Sequence, residues 1–112
     1  MSKTFPPSVS HDKVMIDMLK NDPEFATEYL KAALEEADSD AGGQAIFLDA
    51  IRRVAKVQGI EKIAKAAGIP RESLSRALSP KGNPRLNTLF AVMKAMGMHL
   101  SIEPVHPEHH TA

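Results

Sequence analysis

Four side chains with hydrogen-bonding groups lie close together near the middle of the sequence. They are two arginines, a glutamate and a serine: Arg71, Glu72, Ser75 and Arg76. An arginine guanidinium can bond two acceptor atoms of a guanine at once, and a serine hydroxyl can either donate or accept. At this spacing the four side chains would share one side of a short helix. This stretch could therefore read the edges of DNA base pairs.

The residues around these side chains predict two short helices joined by a tight turn, a helix-turn-helix over 60–78. Gly68 stands where the chain must reverse, a place that usually requires positive φ. Pro70 suits the first position of a second helix, where its missing N–H costs nothing. Plain helical bundles also contain such pairs, and the two arginines favour DNA binding. The apolar positions are Ile63, Ala64 and Ala67 in the first helix and Leu74, Ala77 and Leu78 in the second.

A loop rich in polar side chains follows the second helix. Ser79 and Pro80 end that helix, and the composition of residues 80–84 is that of a loop. Such a loop would run beside the DNA backbone, where side chains bind phosphates and add affinity without selecting a sequence. The side chains placed to do so are Lys81, Asn83 and Arg85.

The charges of the 112-residue chain cancel overall but are unevenly distributed. Residues 1–50 hold four lysines against ten carboxylates, a balance of −6. Residues 51–94 hold ten cationic side chains against two glutamates, a balance of +8, and two glutamates in the tail complete the sum. Chance segregation of surface charge is the alternative, but the asymmetry favours two partners of opposite character. We expect DNA at the basic half and a basic protein at the acidic half.

The hydrophobic pattern predicts an all-α fold, a bundle of five to six helices that contains the helix-turn-helix. Outside that motif, helices are expected over about 10–20, 23–36, 44–58 and 86–96. Residues 98–103 alternate apolar and polar side chains, which is typical of a half-buried strand. A lone strand needs a partner, and we expect this one to pair across a dimer or with another segment. The domain boundaries are a flexible arm at 1–9, one helical domain at 10–104 and a flexible tail at 105–112.

Other chemistry has little support in the sequence. There is no cysteine, no nucleophile motif and no phosphate-binding loop, so we expect neither an enzyme nor a bound cofactor. Asp38 and Asp40 are spaced as in a calcium loop, but Gly42 supplies no side-chain ligand there. No apolar run could span a bilayer and no signal-peptide pattern begins the chain, so a cytoplasmic location is expected. Three tail histidines are more typical of a disordered segment than of a metal site: His106, His109 and His110.

The sequence resembles the addiction-module antidote family, HigA-type antitoxins with an Xre/Cro-like helix-turn-helix. The resemblance covers about residues 10–104. The segments that carry it are 22–36 (DPEFATEYLKAALEE), 68–79 (GIPRESLSRALS), 82–89 (GNPRLNTL) and 96–101 (MGMHLS).

This resemblance implies a repressor of a toxin–antitoxin operon that neutralises a RelE-like, mRNA-cleaving toxin. It also implies a homodimer on a palindromic operator of double-stranded DNA. In such proteins the first exposed residues of the recognition helix and those one turn later contact bases. These residues correspond here to Arg71, Glu72, Ser75 and Arg76, with Ser73 beside them.

One position departs from the family pattern. The helix before the recognition helix usually begins with a glutamine that binds phosphate, whereas this chain has Ile60 and Glu61 there. Lys62 is the candidate replacement for that contact. Glu72 would also be repelled by phosphates, which favours an alternative function: a protein-interaction module with a helix-turn-helix fold that does not bind DNA.

Overall fold

The computed structural model describes residues 11–39 and 42–105, and this part of the chain contains six α-helices. The expected all-helical bundle is confirmed. The expectations for the arm at 1–9, for Asp40 and for the tail histidines lie outside the described residues. The helices are α1 (His11–Asn21), α2 (Pro23–Ser39), α3 (Gly43–Gln58), α4 (Ile60–Ala67), α5 (Arg71–Ala77) and α6 (Leu86–Ala95).

The first three helices pack together, and α2 lies along α3. A side-chain cap starts α2, because Asp22 Oδ1 accepts a hydrogen bond from the Phe25 N–H at 3.1 Å. Pro23 takes the first helical position, as the sequence predicted. The side chains at the centre of this packing are buried: Leu19 from α1, Ala26 and Leu30 from α2, and Leu48, Ile51 and Val54 from α3.

A glycine sets the close approach between the end of α2 and the start of α3. A Cβ atom at Gly43 would lie only 2.1 Å from the carbonyl oxygen of Ala37. Any side chain there would force the two helices apart. Gly59 then ends α3 with a φ of 106° and leads directly into α4.

The second half of the molecule shares the same hydrophobic core. α4 packs against α3, α5 and α6. Met93 of α6 and Met96 just after this helix are buried in this core, where their flexible side chains fill space. The other buried side chains of this half are Ile63, Ala64, Leu74, Leu78 and Val92.

The predicted C-terminal strand is wrong. The chain after α6, from residue 98 to residue 105, is neither helix nor strand. Met98 and Leu100 rest partly buried against the core, whereas Ile102 is 98% exposed. The alternation of apolar and polar residues therefore reflects the contact of Met98 and Leu100 with the core. A strand also needs a neighbour to bond its backbone groups, and no described segment provides one.

None of the described helices is both long enough and apolar enough to cross a membrane.

Candidate nucleic-acid interface

The turn between α4 and α5 has the geometry that the sequence predicted. Gly68 ends α4 in the left-handed conformation, with φ 72° and ψ 31°. The N–H of Ile69 reaches back to the carbonyl of Ala64 at 2.9 Å, which closes a Schellman turn. Ala64 is buried and small, so the two helices can cross closely. One detail differs: Pro70 has an extended ψ of 142° and precedes α5, which begins at Arg71.

The outer face of α5 brings the predicted base-reading side chains together. Leu74 and the following Leu78 are fully buried and fix which side of the helix faces the core. Ser73 lies half-buried, away from the most exposed side. The outward side chains are all solvent-exposed: Arg71, Glu72, Ser75 and Arg76.

An ion pair that the sequence did not reveal connects the two helices. Arg71 Nη1 lies 3.2 Å from Glu61 Oε2, and the side chains are 59% and 77% exposed. The contact joins a side chain near the start of α4 to the first side chain of α5. Glu61 thus partners the first arginine of the outer face. Lys62 beside it is exposed.

The loop after α5 is tightly folded, and a hydrogen bond from a residue far away in the sequence helps to hold it in place. A Cβ atom at Gly82 would lie 2.0 Å from the carbonyl oxygen of Ala77, so only glycine fits against the end of α5. The Gly82 N–H donates to the Ser79 carbonyl at 2.8 Å. Gln44 at the start of α3 donates from Nε2 to the Gly82 carbonyl at 3.4 Å. The loop thereby presents three exposed polar side chains, those of Lys81, Asn83 and Arg85.

Two of the ten cations in the basic half contact a carboxylate of the acidic half. Asp49 on α3 accepts hydrogen bonds from Arg52 at 2.6 Å and from Arg53 at 3.0 Å. The hydrogen bond from Arg52 is the main reason that the pKa of Asp49 lies below its ordinary value. Arg53 acts in the same direction, and partial burial opposes both. The spacings of three and four residues are a sequence signal for these pairs.

No group of three or more histidine, cysteine, aspartate or glutamate side chains in the described ranges is arranged to hold a metal ion. The exposed side chains of the α4–α5 face offer hydrogen-bond donors and charged groups. Arginine, serine and asparagine side chains on an exposed helix and the loop after it can bond both base edges and phosphates.

Comparison with known proteins identifies a family. The family model described as "Probable addiction module antidote protein" matches residues 11–104. An uncharacterized protein of Haemophilus influenzae is 35% identical over 75 residues, which cover 67% of this chain and 72% of that protein. No solved structure matches the chain. The matched region contains all six helices, and the chain belongs to the addiction module antidote family.

Proposed function

We propose that this antidote protein is a sequence-specific DNA-binding antitoxin of the HigA type, with an Xre/Cro-like helix-turn-helix formed by α4 and α5. In this role it represses its own toxin–antitoxin operon and neutralises a RelE-like, mRNA-cleaving toxin. Both tasks would be carried out in the cytoplasm by binding, with no catalytic role for the chain.

The outer face of α5 carries this proposal. Arg71, Ser75 and Arg76 are exposed together because two fully buried leucines hold the opposite side of the helix in the core. A recognition helix needs this arrangement, in which the scaffold fixes the helix and the donors project into the major groove. The exposed Lys81 and Arg85 flank the helix, where phosphates would lie.

Membership of the family implies a toxin partner in general. The RelE-like identity of that toxin is part of our proposal and follows from the resemblance in sequence. DNA would cover the outer face of α5 in this proposal, so a toxin bound at the same time would have to occupy a different surface.

A homodimer is also part of the proposal. Two recognition helices related by a two-fold axis would match a palindromic operator. The described residues contain no C-terminal strand, so the contact between two copies of the chain has to involve another apolar surface. Leu86 and Phe90 lie one turn apart on α6 and are 62% and 52% exposed. These two side chains form an apolar face that a second copy of the chain could cover.

Binding to the DNA upstream of its own gene tests the proposal. We expect a specific complex that weakens as salt rises, because each phosphate contact releases counterions. Equal affinity for a scrambled duplex of the same length would contradict sequence-specific binding. Co-purification with the product of the adjacent open reading frame tests the antitoxin role separately.

One observation favours the alternative, a protein-interaction module that does not bind DNA. Glu72 is exposed on the same face as the two arginines, and Glu61 already partners Arg71. These carboxylates lower the positive charge of the face. The absence of any salt-dependent DNA complex, together with a stable toxin complex, would support this alternative.

A further inference from the structure

Gln44 makes a contact to which the DNA-binding proposal gives no role. It lies at the start of α3, outside the helix-turn-helix, and its Nε2 donates to the carbonyl oxygen of Gly82 at 3.4 Å. Gly82 stands near the middle of the α5–α6 loop, residues 78–85. The contact therefore joins the first half of the molecule to the segment that carries the proposed phosphate contacts.

The other hydrogen bonds that fold this loop are local. The Ser79 hydroxyl donates to the carbonyl of Arg76 at 2.8 Å, and the N–H of Gly82 donates to the carbonyl of Ser79 at 2.8 Å. These bonds hold the first part of the loop against the end of α5. Among the hydrogen bonds of the described residues, the one from Gln44 ties the loop to a helix other than the two that it connects.

The packing of α2 on α3 fixes the position of the donor. Gly43, immediately before Gln44, lies so close to Ala37 of α2 that a Cβ atom would not fit. Leu48, one turn after Gln44, is only 2% exposed. The backbone at Gln44 is therefore held by the core, and its side chain can hold the loop in turn.

The bonded carbonyl lies between two of the proposed phosphate contacts. Lys81 and Asn83 flank Gly82 in the chain, and both side chains are exposed. Because a peptide group is planar, a fixed direction of the Gly82 carbonyl also fixes the peptide that leads into Asn83. Glycine has more backbone freedom than other residues, so without this bond the loop could turn its side chains in several directions. Holding it beforehand lowers the entropy cost of ordering it on DNA.

We propose that Gln44 is a positioning residue for the phosphate contacts of Lys81 and Asn83, and that it acts through its hydrogen bond to the Gly82 carbonyl. This inference rests on the proposed DNA binding and adds a residue outside the helix-turn-helix. The bond is long and exposed, so its contribution to the stability of the fold is small. Its effect belongs in the affinity for DNA.

The test replaces Gln44 in the full chain and measures binding to the DNA upstream of the gene and to a random duplex. Gln44→Met removes the donor but keeps the side-chain length and a good helix former. We expect it to bind both duplexes about threefold more weakly, as suits the loss of one weak hydrogen bond. The salt slope should fall by up to about one unit although no charge changes. Gln58→Met makes the same change at the other end of α3 and should behave as wild type.

A second background tests whether Gln44 acts through the loop. In a chain that already carries Lys81→Ala and Asn83→Ala, adding Gln44→Met should cause almost no further loss. An equal loss in both backgrounds would mean that Gln44 meets the DNA by itself, and would overturn the positioning role. A lower thermal midpoint with an unchanged salt slope would overturn it too.

Two further outcomes separate this inference from the proposed function. A wild-type chain that forms no complex with either duplex overturns DNA binding itself. A wild-type complex that Gln44→Met leaves at full strength overturns the positioning role of Gln44 and leaves DNA binding in place.

Discussion

Arg76 and Lys81 are both exposed cations, but they occupy different positions relative to the proposed DNA. Arg76 projects from the outer face of α5, where a guanidinium can bond two acceptors of a guanine. Lys81 lies in the loop beyond the helix, where a point charge can neutralise a phosphate. Arg76 should therefore determine which DNA sequence is bound, whereas Lys81 should only add affinity.

We expect Arg76→Ala to weaken binding to the operator by about 1–3 kcal/mol and to change binding to random DNA much less. Lys81→Ala should weaken both complexes alike and reduce the slope of the salt dependence by about one unit. Competition binding on operator and scrambled duplexes measures both effects. Equal losses on both duplexes for Arg76→Ala would make this residue a phosphate contact.

Glu61 should restrain Arg71 in the free protein. The pair is exposed, so its contribution is at most about 1 kcal/mol, and a nearby phosphate can compete with it. Glu61→Gln frees Arg71 and also removes a charge that phosphates would repel. We expect the variant to bind random DNA several-fold more tightly, with a salt slope steeper by about one unit.

The matched control for this change is Glu103→Gln, an exposed carboxylate in the segment after α6. It removes the same charge far along the chain from the α4–α5 pair. Titrations on random DNA at several salt concentrations give affinity and slope together. Identical shifts for the two variants would show that only net charge matters and that the Glu61–Arg71 contact has no separate role.

At the scale of the helices, sequence signals succeeded where the determining contacts are local. The start of α2 at Pro23 was expected and is fixed by the Asp22 cap, and Gly68 predicted the reversal after α4, because caps and turns involve neighbouring residues. The strand prediction at 98–103 failed because a strand depends on a distant partner. The hydrogen bond from Gln44 to Gly82 joins residues 38 positions apart, and no local pattern reports such a contact.

The Asp49 contacts should stabilise α3 in a pH-dependent way. Because its folded-state pKa is lowered, the contribution is complete above the unfolded pKa of about 3.9 and is lost as the pH falls through the folded value. Asp49→Asn should therefore flatten the acid side of the stability profile. The effect should stay under about 1 kcal/mol, since the carboxylate is partly exposed and solvent screens it.

Thermal midpoints between pH 3 and pH 7, compared with wild type, measure this change. Glu28→Gln serves as the control because it neutralises another exposed carboxylate on the neighbouring helix. The explanation fails if the wild type and Asp49→Asn lose stability in parallel as the solution is acidified.

For the whole molecule, the acidic and basic halves of the sequence only partly correspond to separate acidic and basic regions of the structure. The five carboxylates of α2 face a single lysine in that helix, so the acidic character is concentrated there. Asp49 instead forms ion pairs with the two arginines that follow it on α3. Sequence could therefore predict an acidic α2, but how the side chains of this helix face α3 depends on the packing of the two helices.

The dimer should depend on the apolar face of α6. Phe90→Glu places a charge on that face, and since Phe90 is 52% exposed the fold of one chain should survive. We expect light scattering at micromolar concentration to give twice 12.2 kDa for the wild type and a single chain for the variant. Operator binding should weaken sharply, because the two recognition helices are no longer held together in one dimer that contacts both half-sites. Met18→Glu, at a 41% exposed position on α1, should remain dimeric. A wild type of one-chain mass, or a dimeric Phe90→Glu, would contradict this interface.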